Sequence, residues 1–424
     1  MARSKVSADL PNLANAEWLK RQPTRELFAA LSAEGAGVRA VGGAVRNTLM
    51  GVPVEDVDIA TTARPDEVMA LAKRAGLHVV PTGIEHGTVT VIVDKIPFEV
   101  TTLRRDIETF GRHARVTFTT DWREDAMRRD FTMNALYCDA DGVVHDPLGG
   151  YSDLSLRRVK FIGDAGQRIR EDYLRILRFF RFLAQYGEGT APDAQALAAA
   201  RAEKTGLAQL SAERIRAELL LLLRAPGAVT ALTSMRENGL IKPLIGVAGD
   251  VAAMRHLAAI ETELGQAPDA VLRLAALATG AADDLRDKLR LSGAEAERLA
   301  NASRCSRAFD PRTDEADAKA FIYRHGAIAF VDGALLDWAR SDDPADDAVR
   351  AKRVRLPQRW SAPELPVRGA DIMGLGIPAG PPVGRVLSAF EEWWIAAGFP
   401  LDRRIVDEKL AEIAHGELDA RRNA

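Results

Sequence analysis

The residues best suited to chemistry are two aspartates one residue apart, Asp56 and Asp58, downstream of Gly42-Gly43-Ala44-Val45-Arg46. If residues 54–59 form a strand, Asp56 and Asp58 share one face while Val57 and Ile59 share the other. Two carboxylates about 7 Å apart at their Cα atoms, at a rise of about 3.3 Å per residue, can lean together over a pair of divalent cations. Hard oxygen ligands of this kind suit Mg²⁺, which keeps part of its water shell and bridges to substrate phosphates. The glycine pair follows the apolar run at 38–41 and precedes Arg46-Asn47-Thr48-Leu49-Met50, which describes a strand, a tight turn and a helix start. Backbone N–H groups at Gly43, free of side-chain bulk, can approach a triphosphate, and Arg46 adds a fixed positive charge. An isolated Asp-x-Asp triplet is more often a solvated strand edge; the glycine turn beside it favours a site. A third carboxylate, Glu99, alternates with Phe98 and Val100 and faces away from them. On a sheet shared with the aspartates it is a candidate general base toward an attacking hydroxyl, a further metal ligand, or a plain exposed strand glutamate.

Arg128-Arg129-Asp130-Phe131-Thr132-Met133-Asn134 gathers charge, an aromatic ring and an amide in a short span. The arginine fork matches phosphate oxygens, and Asp130 and Asn134, four apart on one helical face, can hydrogen-bond sugar hydroxyls. Residues 170–182 read as one amphipathic helix, with Ile169, Tyr173, Leu174, Ile176, Leu177, Phe180 and Leu183 on the buried side. Asp172, Arg175, Arg178 and Arg181 recur along it every three positions, a stripe that drifts about 60° per step and in which Asp172 and Arg175 form one pair. Such a pair can read a base. A carboxylate accepts from the exocyclic amino group of cytosine or adenine and is repelled by the carbonyl of uracil or guanine, while arginine donates to ring acceptors. Taken singly, each of these residues also fits a salt-bridged solvent face; the ordered set does not.

In this order the motifs resemble the class II tRNA nucleotidyltransferase and poly(A) polymerase family of the DNA polymerase beta superfamily, from about Val38 to Leu223. The resemblance implies that Gly43, Arg46, Asp56 and Asp58 belong to the motif that binds triphosphate and two Mg²⁺ ions, with Glu99 as the third carboxylate. It implies a ribose role for Arg129, Asp130 and Asn134, a base-template role for Asp172 and Arg175, and further nucleotide and RNA contacts for Arg178 and Arg181. Leu210-Ser211-Ala212-Glu213-Arg214-Ile215 resembles the motif that props the template helix. Asn47 is a departure, standing where the family usually has aspartate; an amide can still hydrogen-bond locally, so activity is expected to survive. The segment Thr82-Gly83-Ile84-Glu85-His86-Gly87-Thr88-Val89-Thr90-Val91 lacks the arginine-rich strand of the poly(A) polymerases and looks like the tRNA branch. Arg112-His113-Ala114-Arg115 resembles the loop used in switching from C to A. No His-Asp doublet follows, so no phosphohydrolase activity is expected. The implied activity is template-independent addition of C and A to the 3′ end of tRNA from CTP and ATP. Alternatives are a poly(A) polymerase or a CC- or A-adding enzyme, a transferase acting on a small molecule, and a non-catalytic RNA-binding protein.

The elements that must position these residues follow from the pattern of the chain. Residues 89–103 read as a β-hairpin turning at Asp94-Lys95, and Asp146-Pro147-Leu148-Gly149-Gly150 as the turn out of the last strand. The expected fold is an α+β nucleotidyltransferase head at 25–162, a mixed sheet with flanking helices, followed by an all-α neck at 163–224 and a helical body and tail at 225–424 that binds tRNA. At 424 residues the chain has ample length for several domains. Absence of a long apolar run or secretory pattern, with only Cys138 and Cys305 as cysteines, suggests no membrane partner, a cytoplasmic address and buried thiols. No protein partner is inferable. The net charge of −3 disfavours RNA only superficially, because residues 157–181 carry eight basic side chains against three acidic ones. Lys352, Arg353, Arg355, Arg359 and Arg368 form a second candidate RNA track, or a merely solvated run. The glycine-rich 374–385 reads as a phosphate clasp at a helix start or a simple turn.

Overall fold

A computed structural model describes residues 10–110, 113–279, 282–308 and 314–422. The chain divides into two compact units, the first made of the residues up to 249 together with 287–290, and the second of 250–286 with 291 onward. In the first unit two short helices, α1 (Glu17–Lys20) and α2 (Gln22–Ser32), lead into strand β1 (Val38–Val41), helix α3 (Gly43–Leu49), strand β2 (Asp58–Thr61) and helix α4 (Pro65–Arg74). Strands β3 (His78–Gly83), β4 (Thr88–Val93) and β5 (Ile96–Thr102) follow, then the hairpin of β6 (Arg104–Phe110) and β7 (His113–Phe118), helix α5 (Trp122–Met127), and the two-residue strands β8 (Tyr137–Cys138) and β9 (Val144–His145). One seven-stranded sheet runs in the order β3-β4-β5-β2-β1-β8-β9, and β6 and β7 pair separately. Only β2 with β5 is parallel; the neighbours on either side are antiparallel, so the sheet is mixed as expected. Helices α2 and α4 pack against the sheet.

The β-branched alternation of β4 buries Val89, Val91 and Val93 and leaves the residues between them half-open, which fits a sheet covered on one face. Its hairpin to β5 turns through Asp94 and Lys95, both at positive φ (48° and 67°), as a tight two-residue hairpin turn requires. The turn at 146–150 is also present: the Asp146 carboxylate accepts from the backbone N–H groups of Gly150 and Tyr151, with Gly149 at φ 77°. Arg112, the first residue of the loop segment that resembles the C-to-A switch, lies outside the described residues, as does Gly111.

Helices continue the first unit: α6 (Gly150–Ser155), α7 (Ala165–Glu171), α8 (Leu174–Tyr186), α9 (Ala194–Ala202), α10 (Ala212–Arg224), α11 (Ala228–Glu237) and α12 (Ile241–Ile245). The apolar side of α8 packs on α10 and α11. It also meets the sheet-bearing part through rings: Phe131 lies 4.9 Å from both Phe161 and Phe182, and Phe161 stacks on Phe179 at 5.8 Å. Phe131, Phe179 and Phe180 are fully buried. This aromatic contact fixes the segment holding Asp130 and Asn134 against the helix holding Arg178. The second unit is helical, with α13 (Val251–Leu264), α14 (Ala270–Leu277), α15 (Ala282–Leu289, which ends in the first unit), α16 (Gly293–Ala308), α17 (Glu315–His325), α18 (Ala327–Ala339), α19 (Ala348–Val354), α20 (Gly369–Gly374), α21 (Pro381–Ala396) and α22 (Arg403–Arg422). Cys138 and Cys305 are free and buried. No helix among the described residues is long and apolar enough to cross a membrane.

Three local expectations need correction. Strand β2 begins at Asp58, and Asp56 lies before it, because the partner strand β1 makes its last pair at Val41 with Asp58 and turns away at Gly42 (φ 69°). The helix expected over 170–182 is broken: α7 ends at Glu171, Asp172 is extended (φ −155°, ψ 106°), and α8 starts at Leu174. Asp172 spends one carboxylate oxygen on the Leu174 N–H, the local competition with helix bonding that aspartate offers. Asp130 and Asn134 do not share a helical face, since only Thr132–Asn134 is helical, as a single 3₁₀ turn. Their side chains meet all the same.

Candidate active site

Strand β1, the turn at Gly42 and α3 build the floor. The Gly42 N–H donates to the Leu136 carbonyl, joining the turn to the strand edge, and a Cβ on Gly42 would stand 3.7 Å from Arg129 Nη1. Glycine therefore serves both the positive φ and the approach of that arginine. Across the parallel ladder, one step before the Ile59–Val100 pair, Asp58 and Glu99 stand on neighbouring strands. Burial raises the Asp58 carboxyl above its ordinary pKa; Glu99 and Asp56 push it the same way, and Arg129 opposes them. That surplus of negative charge fits a hard cation. Among the described residues, no three acidic, histidine or cysteine side chains come close enough to hold an ion unaided. The donor set thus fits Mg²⁺ held by Asp56 and Asp58 and completed by phosphate oxygens and water, with Glu99 as a charge beside Asp58.

Arg129 is positioned by the buried Asp125, whose Oδ2 accepts from its Nη2 at 3.2 Å and from the Tyr137 hydroxyl at 2.8 Å. Arg128 donates to the other oxygen of the same carboxylate at 2.9 Å. Burial alone would raise the Asp125 pKa; the two arginines and the phenol overrule it and hold the carboxylate ionised. Arg168 of α7 donates to the backbone carbonyls of Arg128 and Arg129 and to Glu171. Asp130 accepts from the Phe131 N–H (2.8 Å), Asn134 Nδ2 (2.9 Å) and Arg178 (2.6 and 2.9 Å). Burial raises its pKa, but Arg178 and these hydrogen bonds win and bring it down to about 2.

The base-reading pair of the sequence is not a pair. Asp172 is bound by Arg214 of α10 (2.7 Å), whereas Arg175 donates through Nη1 to Glu171 (2.6 Å) and to the Arg168 carbonyl (2.7 Å). The extended backbone at Asp172 separates the two, and each finds its nearest opposite charge. Arg175 keeps its Nε and Nη2 donors unspent among the described residues. Glu218 of α10, buried, accepts from Arg181 at 2.6 Å and lies 3.5 Å from Arg178. Helix α10 packs along α8 and meets it through Glu218, while its Arg214 bonds Asp172 in the linker before α8. Arg214 stands in a motif legible in the sequence; Glu218, Asp125 and Arg168 were not singled out, and the only signal for Glu218 is its i, i+4 spacing from Arg214.

One cleft of about 410 Å³ collects Gly42, Gly43, Arg46, Asp58, Arg129, Asp130, Asn134, Asp172, Arg175 and Arg178. Asp56, Glu99 and Arg181 are not among its lining residues. The volume lies in the range of ligand-binding clefts, and its wall combines glycine backbone with carboxylate and guanidinium groups.

The profile of the Poly A polymerase head domain matches residues 38–160, and that of the probable RNA and SrmB- binding site of polymerase A matches 191–246. Over 392 residues the chain is 35% identical to the mitochondrial CCA tRNA nucleotidyltransferase 1 of Danio rerio, covering 89% of this chain and 87% of the relative. The chain belongs to the class II CCA-adding tRNA nucleotidyltransferase family. The CCA-adding enzyme of Geobacillus thermodenitrificans is 36% identical over 358 residues, 82% of this chain and 86% of that one. Among solved structures, the Bacillus stearothermophilus CCA-adding enzyme in complex with CTP superposes with a TM-score of 0.74 at 28% identity, covering 95% of this chain and 99% of that one. Family membership accounts for the mixed sheet followed by helices, and it makes the chain a nucleotidyltransferase.

Proposed function

We propose that this chain adds C and A to the 3′ end of tRNA without a nucleic-acid template, using CTP and ATP and releasing pyrophosphate. Its relatives are named for that reaction. The observation that carries the reading to these residues is one cleft whose wall holds the Gly42–Gly43 turn, Arg46 and Asp58 together with Asp172 and Arg175. Asp56 and Asp58 would hold two Mg²⁺ ions, which stabilise the attacking and leaving oxygens of an in-line displacement. Gly43 presents backbone to the triphosphate, and Arg46 and Arg129 offset its charge. Asp130 and Asn134 hydrogen-bond the ribose hydroxyls, and Arg178 holds Asp130 in its ionised state. Asp172 accepts from the amino group of C or A, while Arg175 donates to ring acceptors through Nε and Nη2. Each keeps its side chain preset, Asp172 by Arg214 and Arg175 by Glu171. Glu99 is a candidate base toward the 3′-hydroxyl.

We assign the head to 25–162, the neck to 163–224 and tRNA binding to the body and tail at 225–424, with a cytoplasmic address. The decisive experiment offers labelled CTP and ATP, singly and together, to tRNA transcripts ending before the first C, after the second C, and complete, and reads product lengths. Sequential C, C and A addition to the shortest transcript supports the proposal, and long A tails from ATP alone would replace it with polyadenylation. Asp56→Ala abolishes incorporation; undiminished transfer by that variant removes the catalytic assignment.

A further inference from the structure

We infer that Asn47 sets the affinity of the cleft for nucleoside triphosphates by leaving the buried guanidinium of Arg46 without a counter-ion. The inference rests on the proposed reaction and adds to it a residue with no direct ligand contact.

Arg46 is only 7% exposed. Its donors are spent on Asn134 Oδ1 (2.5 Å), Asn47 Oδ1 (2.8 and 3.1 Å) and the Tyr186 hydroxyl (2.6 Å), and the Tyr186 ring lies 4.2 Å from its Cζ. Every one of these partners is neutral. Asp130 acts on it from further off, yet that carboxylate is already engaged by Arg178 and Asn134. Burial lowers the Arg46 pKa, and the positive charges of Arg178 and Arg181 lower it further. A cation so placed gains from any anion that reaches it, and Nη2 lies close to Gly43, 3.9 Å from where a Cβ would stand, on the wall of the cleft. The anion suited to that position is the polyphosphate of the nucleotide.

Asn47 is built to remain an amide. Its Nδ2 donates to the Pro53 carbonyl at 2.9 Å, so its Oδ1 is the end turned to Arg46. A carboxylate at the same position would form an internal ion pair with Arg46 and face the Pro53 carbonyl with a second acceptor. The internal pair would compete with the triphosphate for the same guanidinium.

The test compares Asn47→Asp with Asn47→Ala in the full chain, measuring CTP and ATP binding by calorimetry without tRNA, thermal stability, and kcat and KM on a tRNA substrate. Asn47→Asp is expected to weaken binding of both nucleotides about tenfold or more, to raise KM far more than it lowers kcat, and to keep or raise Tm. Asn47→Ala, which loses the same Pro53 bond and also the Oδ1 acceptor of Arg46 but adds no charge, is expected to bind within about threefold of wild type. Unchanged affinity in Asn47→Asp overturns the inference, and so does equal weakening in both variants, which would trace the effect to loss of the amide rather than to the added charge. A wild-type protein that binds CTP and ATP but extends no tRNA overturns the proposed reaction, while the binding comparison still decides the role of Asn47.

Discussion

At the scale of single residues the cleft holds charges with opposite histories. Asp58 is crowded by burial and by other carboxylates, so its folded pKa lies above the unfolded one. Its contribution to stability is therefore fullest in acid and is lost as pH rises through the folded value. Asp58→Asn is expected to abolish transfer yet raise Tm at pH 7 in EDTA, and added Mg²⁺ is expected to stabilise the wild type more than the variant. Asp130 behaves in the reverse sense. With its pKa brought to about 2 it stabilises the fold above its unfolded value, by about 2 kcal/mol, and the effect fades as pH falls through 4 toward 2. Urea denaturation of Asp130→Asn should show a deficit of that order at pH 7 and little at pH 2, if the pairing with Arg178 is the source. For Asp172→Ala the expected result is loss of discrimination against UTP with transfer partly retained, and Arg214→Ala should reproduce much of it by releasing Asp172.

Elements decide which of these residues meet. The β4–β5 hairpin and the glycine turn after β1 were legible, since β-branched runs, a polar two-residue turn and Gly-Gly are local signals, whereas the parallel register that sets Asp58 beside Glu99 was not, being a pairing of distant segments. The break at Asp172 was not legible, because the apolar spacing continues through it and the stop comes from a carboxylate capturing the Leu174 N–H. The Asp130–Asn134 contact was anticipated for the wrong reason, a helical face, where a 3₁₀ turn and the Phe131 wedge achieve it. Buried supports such as Asp125 and Glu218 escape sequence reading because burial of a carboxylate depends on distant partners. Gly206, in the 3₁₀ segment Lys204–Gln209, bears on the same break: a Cβ there would fall 2.0 Å from the Tyr173 ring, within the linker between α7 and α8. Gly206→Ala should displace that ring and lower Tm, with nucleotide KM rising more than after Gly163→Ala, a position with open space around it but a positive φ.

At the scale of the whole molecule, the second unit combines an aromatic cluster, in which Trp394 meets Phe399 at 5.0 Å and Tyr323 at 5.6 Å, with buried and half-buried ion pairs. Arg298 bonds Asp332 (2.7 Å) and Asp269 (2.7 Å), and Arg350 bonds Asp337 and Asp343, each at 2.6 Å. The acidic run at 341–347, which reads in the sequence as a helix interruption, thus also anchors the next helix, because Asp347 caps α19 by accepting from the Arg350 N–H. Breaking a buried pair from one side typically costs about 3–5 kcal/mol; because Arg298 is partly exposed and keeps Asp269, Asp332→Ala should destabilise the second unit by less than that in urea denaturation. The glycine-rich approach to α21 is poorly equipped as an anion clasp: Pro381 and Pro382 open the helix and supply no N–H. Among the basic residues of the second candidate track, Lys352 and Arg355 are exposed, while Arg359 is engaged with Glu315. If that track meets RNA, Lys352→Ala with Arg355→Ala should weaken tRNA binding, flatten its salt dependence by about 1–2 in slope, and leave CTP affinity unchanged.

Glu218 sits between two arginines of α8, Arg178, which also holds Asp130, and Arg181, which has Glu218 as its partner at 2.6 Å. Anyone wishing to retune this enzyme toward another base is thereby constrained. On the proposed roles, exchanges at Asp172 and Arg175 act on base choice and reach Arg178 only through charge, whereas any exchange that shifts Glu218 travels directly through Arg178 to Asp130. On those roles, new nucleotide preferences are to be sought first at the helix break rather than one turn further along.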